Sequence, residues 1–281
     1  TTPVSDRKIT IKAQKNQYWT PLNYDHKEHG DVPLHDALAY SYNLATVRIG
    51  MDIGIARTAK TLRNMGVKRK VNLFPSLLLG ASQLTPLEVT QMYQTLAGDG
   101  FVTPLRAIQA VTASDGQPLQ RYAFTVRQTL DPGATYITNT ILQEVMDSGT
   151  GRSAYQSLDR SLNLAGKTGT TNEMRDSWFA GYSGDYLSVV WIGRDDNKPA
   201  GLTGASGALQ LWAALMKEIA QQPVTLIPPD NVQSVLIDPQ NGLLANRQCS
   251  DAVAYPYIEG SAPSRMSACA AAPVVSRGQS A

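Results

Sequence analysis

With 281 residues, 42% of them hydrophobic, the chain can fill a sizeable core as one large domain with an appendage or as two modest domains. A formal charge of +2, with 17% charged residues and no basic patch interleaved with aromatics, gives no support for nucleic acid as a partner. No apolar run approaches the ~18 residues of a membrane span, and the first residues show no signal-peptide pattern, so the chain is expected to begin inside a fold.

Lys8–Lys12 alternates polar and apolar residues and reads as a short strand, followed by a polar, turn-rich stretch to about Asp31. Val32–Ala39 reads as a helix with Pro33 in its first turn, interrupted by Ser41-Tyr42-Asn43. Helical periodicity resumes over Leu44–Val47, and another helix covers about Ala56–Met65 before Gly66 stops it. Thr85-Pro86-Leu87-Glu88 is a capping box opening a helix to about Ala97. Ala107–Thr112 and Leu119–Tyr122 flank Asp115-Gly116 as a hairpin, and a helix spans about Gly133–Met146. Leu164–Thr170, Ser177–Tyr182 and Leu187–Arg194 are successive strands whose short links demand antiparallel neighbours. A helix over about Ala208–Gln221 closes the unit. The expected fold is α+β, a central antiparallel sheet of about five strands flanked by helices, over residues 1–222.

Residues 223–281 form a small extension, with a hairpin from Val235–Asp238 and Leu243–Ala245. Cys249 and Cys269 read as a disulfide clipping this piece, with two buried thiols as the alternative. In the chain-entropy model such a loop contributes about 3 kcal/mol. The disulfide reading places the chain in an oxidising compartment. Residues from about Ala270 lack periodicity and are expected to be disordered.

Gly166-Lys167-Thr168-Gly169-Thr170-Thr171 on a strand and Ser41-Tyr42-Asn43 on a loop are two of three elements of a serine acyl-transferase site for penicillin-like substrates. Such a site needs an activated hydroxyl, an oxyanion hole and a hold on the substrate. Gly169 lets a substrate backbone approach and pair as an added strand. The hydroxyls of Thr168 and Thr170 can bond a terminal carboxylate, Lys167 adds positive charge, and the Thr170 N–H is a candidate oxyanion donor. Ser41 would relay a proton to the leaving group, and Asn43 would bond the substrate amide and orient a neighbouring lysine. Tyr42 and Thr150 complete the candidate substrate-binding set; no metal or cofactor is called for. The third element, Ser-x-x-Lys, occurs literally only as Ser5-Asp6-Arg7-Lys8, which runs into a strand pattern instead of opening a helix.

The chain resembles the transpeptidase domain of bifunctional class A penicillin-binding proteins of the 1b type. The resemblance rests on Tyr18–Tyr24, Ala37–Thr46, Gly149–Arg152, Gly166–Thr171, Asp176–Gly181, Trp191–Asp195 and Gly204–Gly207, and covers about residues 8–220. It implies a periplasmic enzyme that cross-links peptidoglycan stem peptides, is acylated by β-lactams, and is tethered to the inner membrane by an upstream segment. It also implies that the nucleophilic serine and its lysine open a helix ahead of residue 1, on an upstream segment expected as a companion chain.

Competing readings are a D,D-carboxypeptidase or β-lactamase-like hydrolase, and a non-catalytic β-lactam-binding or scaffold module. His26 and His29 have metal-like spacing but read as loop residues, Asp195-Asp196-Asn197 reads as a polar turn, and Trp178, Phe179 and Trp191 read as sheet core. A second Ser-x-Asn, Ser161-Leu162-Asn163, lies too close to Lys167 to face it across a groove.

Overall fold

The structure, a computed structural model, describes residues 1–12 and 17–271. Four short strands open the chain, β1 (Pro3–Ser5), β2 (Ile11–Lys12), β3 (Tyr18–Trp19) and β4 (Asp31–Pro33), paired antiparallel as β1–β4 and β2–β3. The strand expected at Lys8–Lys12 is therefore shorter. The first helix, α1 (Leu34–Ala39), starts later than expected because Val32 and Pro33 are held in the pairing with β1. Ser5 ends β1 opposite Asp31, so it is not a serine opening a helix.

Helices α2 (Asn43–Ile53) and α3 (Ile55–Asn64) follow, then α4 (Pro86–Ala97). The capping box of α4 forms as expected: Glu88 N–H donates to Thr85 Oγ1 at 3.2 Å, and Thr85 N–H donates to Glu88 Oε2 at 2.8 Å. Strands β5 (Phe101–Val102), β6 (Ala110–Thr112), β7 (Pro118–Arg121) and β8 (Arg127–Gln128) pair as β5–β8 and as the exposed hairpin β6–β7. Helix α5 (Pro132–Asp147) is capped by Asp131 and precedes the sheet that carries the candidate site.

That sheet is β9 (Ala165–Thr170), β10 (Ser177–Tyr182) and β11 (Leu187–Ile192), antiparallel in the order β11-β10-β9. It holds three strands among the described residues, not about five; the strands from β1 to β8 pair with one another as separate two-stranded ribbons. Side chains alternate across it. Phe179 packs on Trp212 of α6 (Ala208–Ile219), with ring centroids 4.8 Å apart, in a core that includes Met146, Leu164, Leu209 and Met216. Ala165 and Tyr182 join Ala39, Leu142 and Val145, with Tyr93 and Leu96 alongside. Helices thus cover both faces of the sheet while β9 stays at its edge.

The extension forms a second sheet, β12 (Val232–Asp238), β13 (Leu243–Leu244) and β14 (Val253–Ile258), in the order β13-β12-β14. The expected hairpin is present, and β14 joins it as a third strand beyond the sequence expectation. Pro256 interrupts its sequence pattern and is accommodated because β14 is an edge strand. Cys249 and Cys269 are disulfide-bonded, with Cα atoms 5.3 Å apart. Where disorder was expected from Ala270, a short helix α7 spans Ala268–Ala271, and residues 272–281 lie outside the described residues.

Candidate active site

The Ser41–Asn43 loop is the turn between α1 and α2, and the Lys167–Thr170 run is the outer half of β9. They meet directly: Lys167 Nζ donates to Ser41 Oγ at 2.8 Å and to the Thr168 carbonyl at 3.2 Å. Burial of its ammonium end pulls the Lys167 pKa down to about 8. Ser41 has φ of 60°, in the left-handed region that a non-glycine residue occupies only when its surroundings hold it there.

A third segment joins them. After α5 the chain turns through Gly149 and Thr150, whose N–H donates to the Ala39 carbonyl at 3.2 Å. A Cβ at Gly149 would run into that same carbonyl, so glycine is what permits the approach. The Thr150 hydroxyl then lies 2.8 Å from the Thr168 hydroxyl, tying this turn to β9. His35 of α1 reaches Glu144 of α5 at 2.9 Å and fixes the two helices behind the turn.

The outer side of β9 is unpaired among the described residues. N–H groups along a strand point alternately to its two sides. Thr171 N–H donates to the Asp176 carbonyl on the β10 side, so the Thr170 N–H faces the open edge. The Thr170 hydroxyl accepts from Gly204 N–H at 2.9 Å, which leaves its own proton available to a ligand. Gly204 lies so close to the carbonyls of Gly169 and Trp178 that no Cβ would fit there. An extended chain laid along this edge would meet the Thr168 and Thr170 hydroxyls, the outward-facing backbone N–H groups of β9, that of Thr170 among them, and the Lys167–Ser41 pair.

Asn43 donates through Nδ2 to the Leu22 carbonyl at 2.8 Å, and its N–H donates to Asn23 Oδ1 at 2.7 Å. The Tyr42 ring stacks on His29, with centroids 4.0 Å apart and planes 17° apart, and packs against Val32, Ala37 and Ala45. His29, read from sequence as a loop residue, is thus part of the support of this loop, together with the buried Asp6 and Asn23. No motif in the sequence points to this supporting role; the one signal for it is that Asn23 falls inside the Tyr18–Tyr24 segment. Of the aromatic residues expected in the sheet core, Phe179 is buried, whereas Trp191 is exposed and donates to Asp176 at 3.0 Å. Asp196 pairs with Arg194 and Lys198 within its own turn.

A family model, the penicillin-binding protein transpeptidase domain, matches residues 4–205. The chain belongs to this family. It is 42% identical over 232 residues to penicillin-binding protein 1B of Vibrio cholerae, covering 82% of this chain and 30% of that protein. It is 38% identical over 238 residues to penicillin-binding protein 1B of Escherichia coli, covering 84% of this chain and 28% of that one. The crystal structure of penicillin-binding protein 1A from Haemophilus influenzae superposes with a TM-score of 0.83 at 24% identity, over 94% of this chain and 45% of that one, which establishes the fold. The chain therefore spans about a third or less of the length of the curated relatives it matches. A companion chain carrying the nucleophile gains no support, since each of these relatives is a single, longer polypeptide.

Proposed function

We propose that this domain is the D,D-transpeptidase part of a longer periplasmic, membrane-tethered penicillin-binding protein, and that it joins peptidoglycan stem peptides through a serine-linked acyl-enzyme. The observation that carries the reading is the 2.8 Å contact between Lys167 Nζ and Ser41 Oγ, made beside an open strand edge. The nucleophilic serine and its lysine come from a segment of the same polypeptide ahead of Thr1.

The donor stem peptide pairs with the open edge of β9, its terminal carboxylate held by the Thr168 and Thr170 hydroxyls under the positive field of Lys167. The serine oxygen attacks the penultimate D-alanine carbonyl, and the Thr170 N–H stabilises the resulting oxyanion; such a donor is worth ~3 kcal/mol in the transition state. The C–N bond breaks and the terminal D-alanine leaves as an amine. Because Ser41 Oγ accepts from Lys167, its own O–H is free to protonate that nitrogen, and it recovers a proton from the nucleophile by way of the neighbouring lysine. An acceptor amine then attacks the ester carbonyl, the serine C–O bond breaks, and a new amide forms as the serine regains its proton. Asn43 orients the substrate amide from the opposite wall. A β-lactam follows the first half of the same path and stays on the serine as an ester.

Incubating the full-length protein with fluorescent penicillin tests this. Stoichiometric, hydroxylamine-sensitive labelling that Lys167→Met abolishes is the expected result. Absence of label from the intact protein would overturn the enzyme reading, and fast release of label would replace transpeptidation by hydrolysis.

A further inference from the structure

Resting on that reading, we propose that Asp6, Asn23 and His29 form a positioning unit that sets the Ser41–Asn43 loop against β9, acting through Tyr42 and the first turn of α2.

A helix start leaves its first N–H groups without intrahelical partners. In α2 the N-cap residue, Tyr42, has no side-chain oxygen placed to accept them. The acceptors come instead from far upstream. Asn23 Oδ1 accepts from Asn43 N–H at 2.7 Å and Leu44 N–H at 3.3 Å, and Asp6 Oδ1 accepts from Ala45 N–H at 3.0 Å. Asp6 is fully buried, and its charge sits where the positive end of the α2 dipole favours an anion.

The other carboxylate oxygen links this cap to the loop. Asp6 Oδ2 accepts from Asn23 Nδ2 at 2.6 Å, from His29 Nδ1 at 2.7 Å and from His29 N–H at 3.2 Å. Asn23 Nδ2 also donates to the Lys27 carbonyl at 2.8 Å, and His29 Nε2 lies 3.1 Å from Asp25 Oδ2. The His29 ring is thereby fixed at both nitrogens, and its face is the surface on which Tyr42 lies. One residue before Tyr42 stands Ser41 in its left-handed conformation, and one residue after it Asn43 takes the Asn23 bond. The cluster therefore grips Tyr42 and the first turn of α2, the chain immediately following the residue that contacts Lys167. None of its members reaches Lys167 itself, so its influence on acyl transfer is geometric. A misplacement of 1 Å in such a constellation can cost ~100-fold in rate.

The test measures the second-order rate constant for acylation of the full-length protein by fluorescent penicillin, alongside thermal melting. His29→Ala is expected to slow acylation by about 30-fold. His29→Phe, which restores a ring for Tyr42, should return the rate to within about threefold of wild type. His29→Gln keeps a donor for Asp6 and protects the fold, yet lacks the stacked ring, and should still lose about tenfold. In a double-mutant cycle, His29→Ala with Tyr42→Ala should cost no more than the larger single effect. Ile237→Val, buried in the extension sheet, gives a destabilised comparison in which acylation should follow wild type. Acylation of His29→Ala at the wild-type rate, no recovery in His29→Phe, or an equal loss in Ile237→Val would each overturn the positioning role while leaving the functional reading intact. A wild-type protein that never labels would overturn the functional reading and this inference with it.

Discussion

The two segments that meet at Lys167, β9 and the Ser41–Asn43 loop, rest on different foundations. Under β9 the support is apolar: Phe179, Trp212, Leu209 and Met216 pack without a formal charge among them. Under the Ser41–Asn43 loop it is polar, an Asp6–Asn23–His29 cluster with the Tyr42 ring laid on top. Packing of the first kind holds a strand firmly, yet it is non-directional and tolerates volume-conserving change. Hydrogen bonds of the second kind contribute less net stability each but fix direction, and they are costly to break on one side. A strand edge that receives an extended peptide can rely on the first. A single hydroxyl held in a left-handed backbone conformation 2.8 Å from a lysine needs the second.

Lys167 joins the two segments, and changing it should have the largest effect. Lys167→Met is expected to lower acylation more than 100-fold while raising the melting temperature at pH 7 by about 3 °C, because it removes a charge held in a buried place. The sign follows from linkage. The folded value of about 8 lies below the ordinary 10.5, so between the two the unfolded chain binds more protons and wild-type stability rises with pH. Acylation should move the other way, falling as pH rises through about 8 and Lys167 loses the proton it gives to Ser41. Melting curves and labelling rates at pH 7 and pH 9.5 check both, and a Lys167→Met variant that keeps the wild-type pH slope of stability would contradict this account.

Next in size is the apolar foundation. Trp212→Ala should cost about 4 kcal/mol and lose labelling only in proportion to the folded fraction. Urea unfolding followed by labelling at several denaturant concentrations separates this from the polar foundation, where rate falls in a protein that remains folded. Gly149→Ala attacks the joint between α1 and the Thr150 turn: the new methyl meets the Ala39 carbonyl, and the Ser41 loop must shift. A loss of 1–3 kcal/mol with an acylation rate reduced about tenfold is expected, measured by melting and by labelling kinetics. The smallest effect on chemistry belongs to the extension. Cys249→Ser should remove about 3 kcal/mol from the extension sheet and leave the labelling rate within about twofold, read by limited proteolysis of residues 232–271 beside the same kinetic assay.

Much of this molecule is legible in its residues. Short links mark Ser177–Tyr182 as an antiparallel neighbour of the strands beside it, the Thr85–Glu88 capping box forms atom by atom, and two short motifs single out Ser41 and Lys167. Each depends on neighbours within a few positions, where backbone geometry is repetitive and side-chain preference follows from it. The reading fails where an element depends on partners elsewhere. Val32 and Pro33 leave the helix because β1 claims them, and β14 forms despite Pro256 because an edge position removes the penalty. The Trp191 ring is exposed because its partner is Asp176, and not a core face. His29 looks like a loop histidine until Asp6, 23 positions away, is buried against it. Local sequence determined most of the longer strands and helices and the motif residues of this protein. Only the tertiary structure decided which distant acceptors would complete the start of α2, since a buried hydrogen bond between far-separated residues imprints no period on the chain.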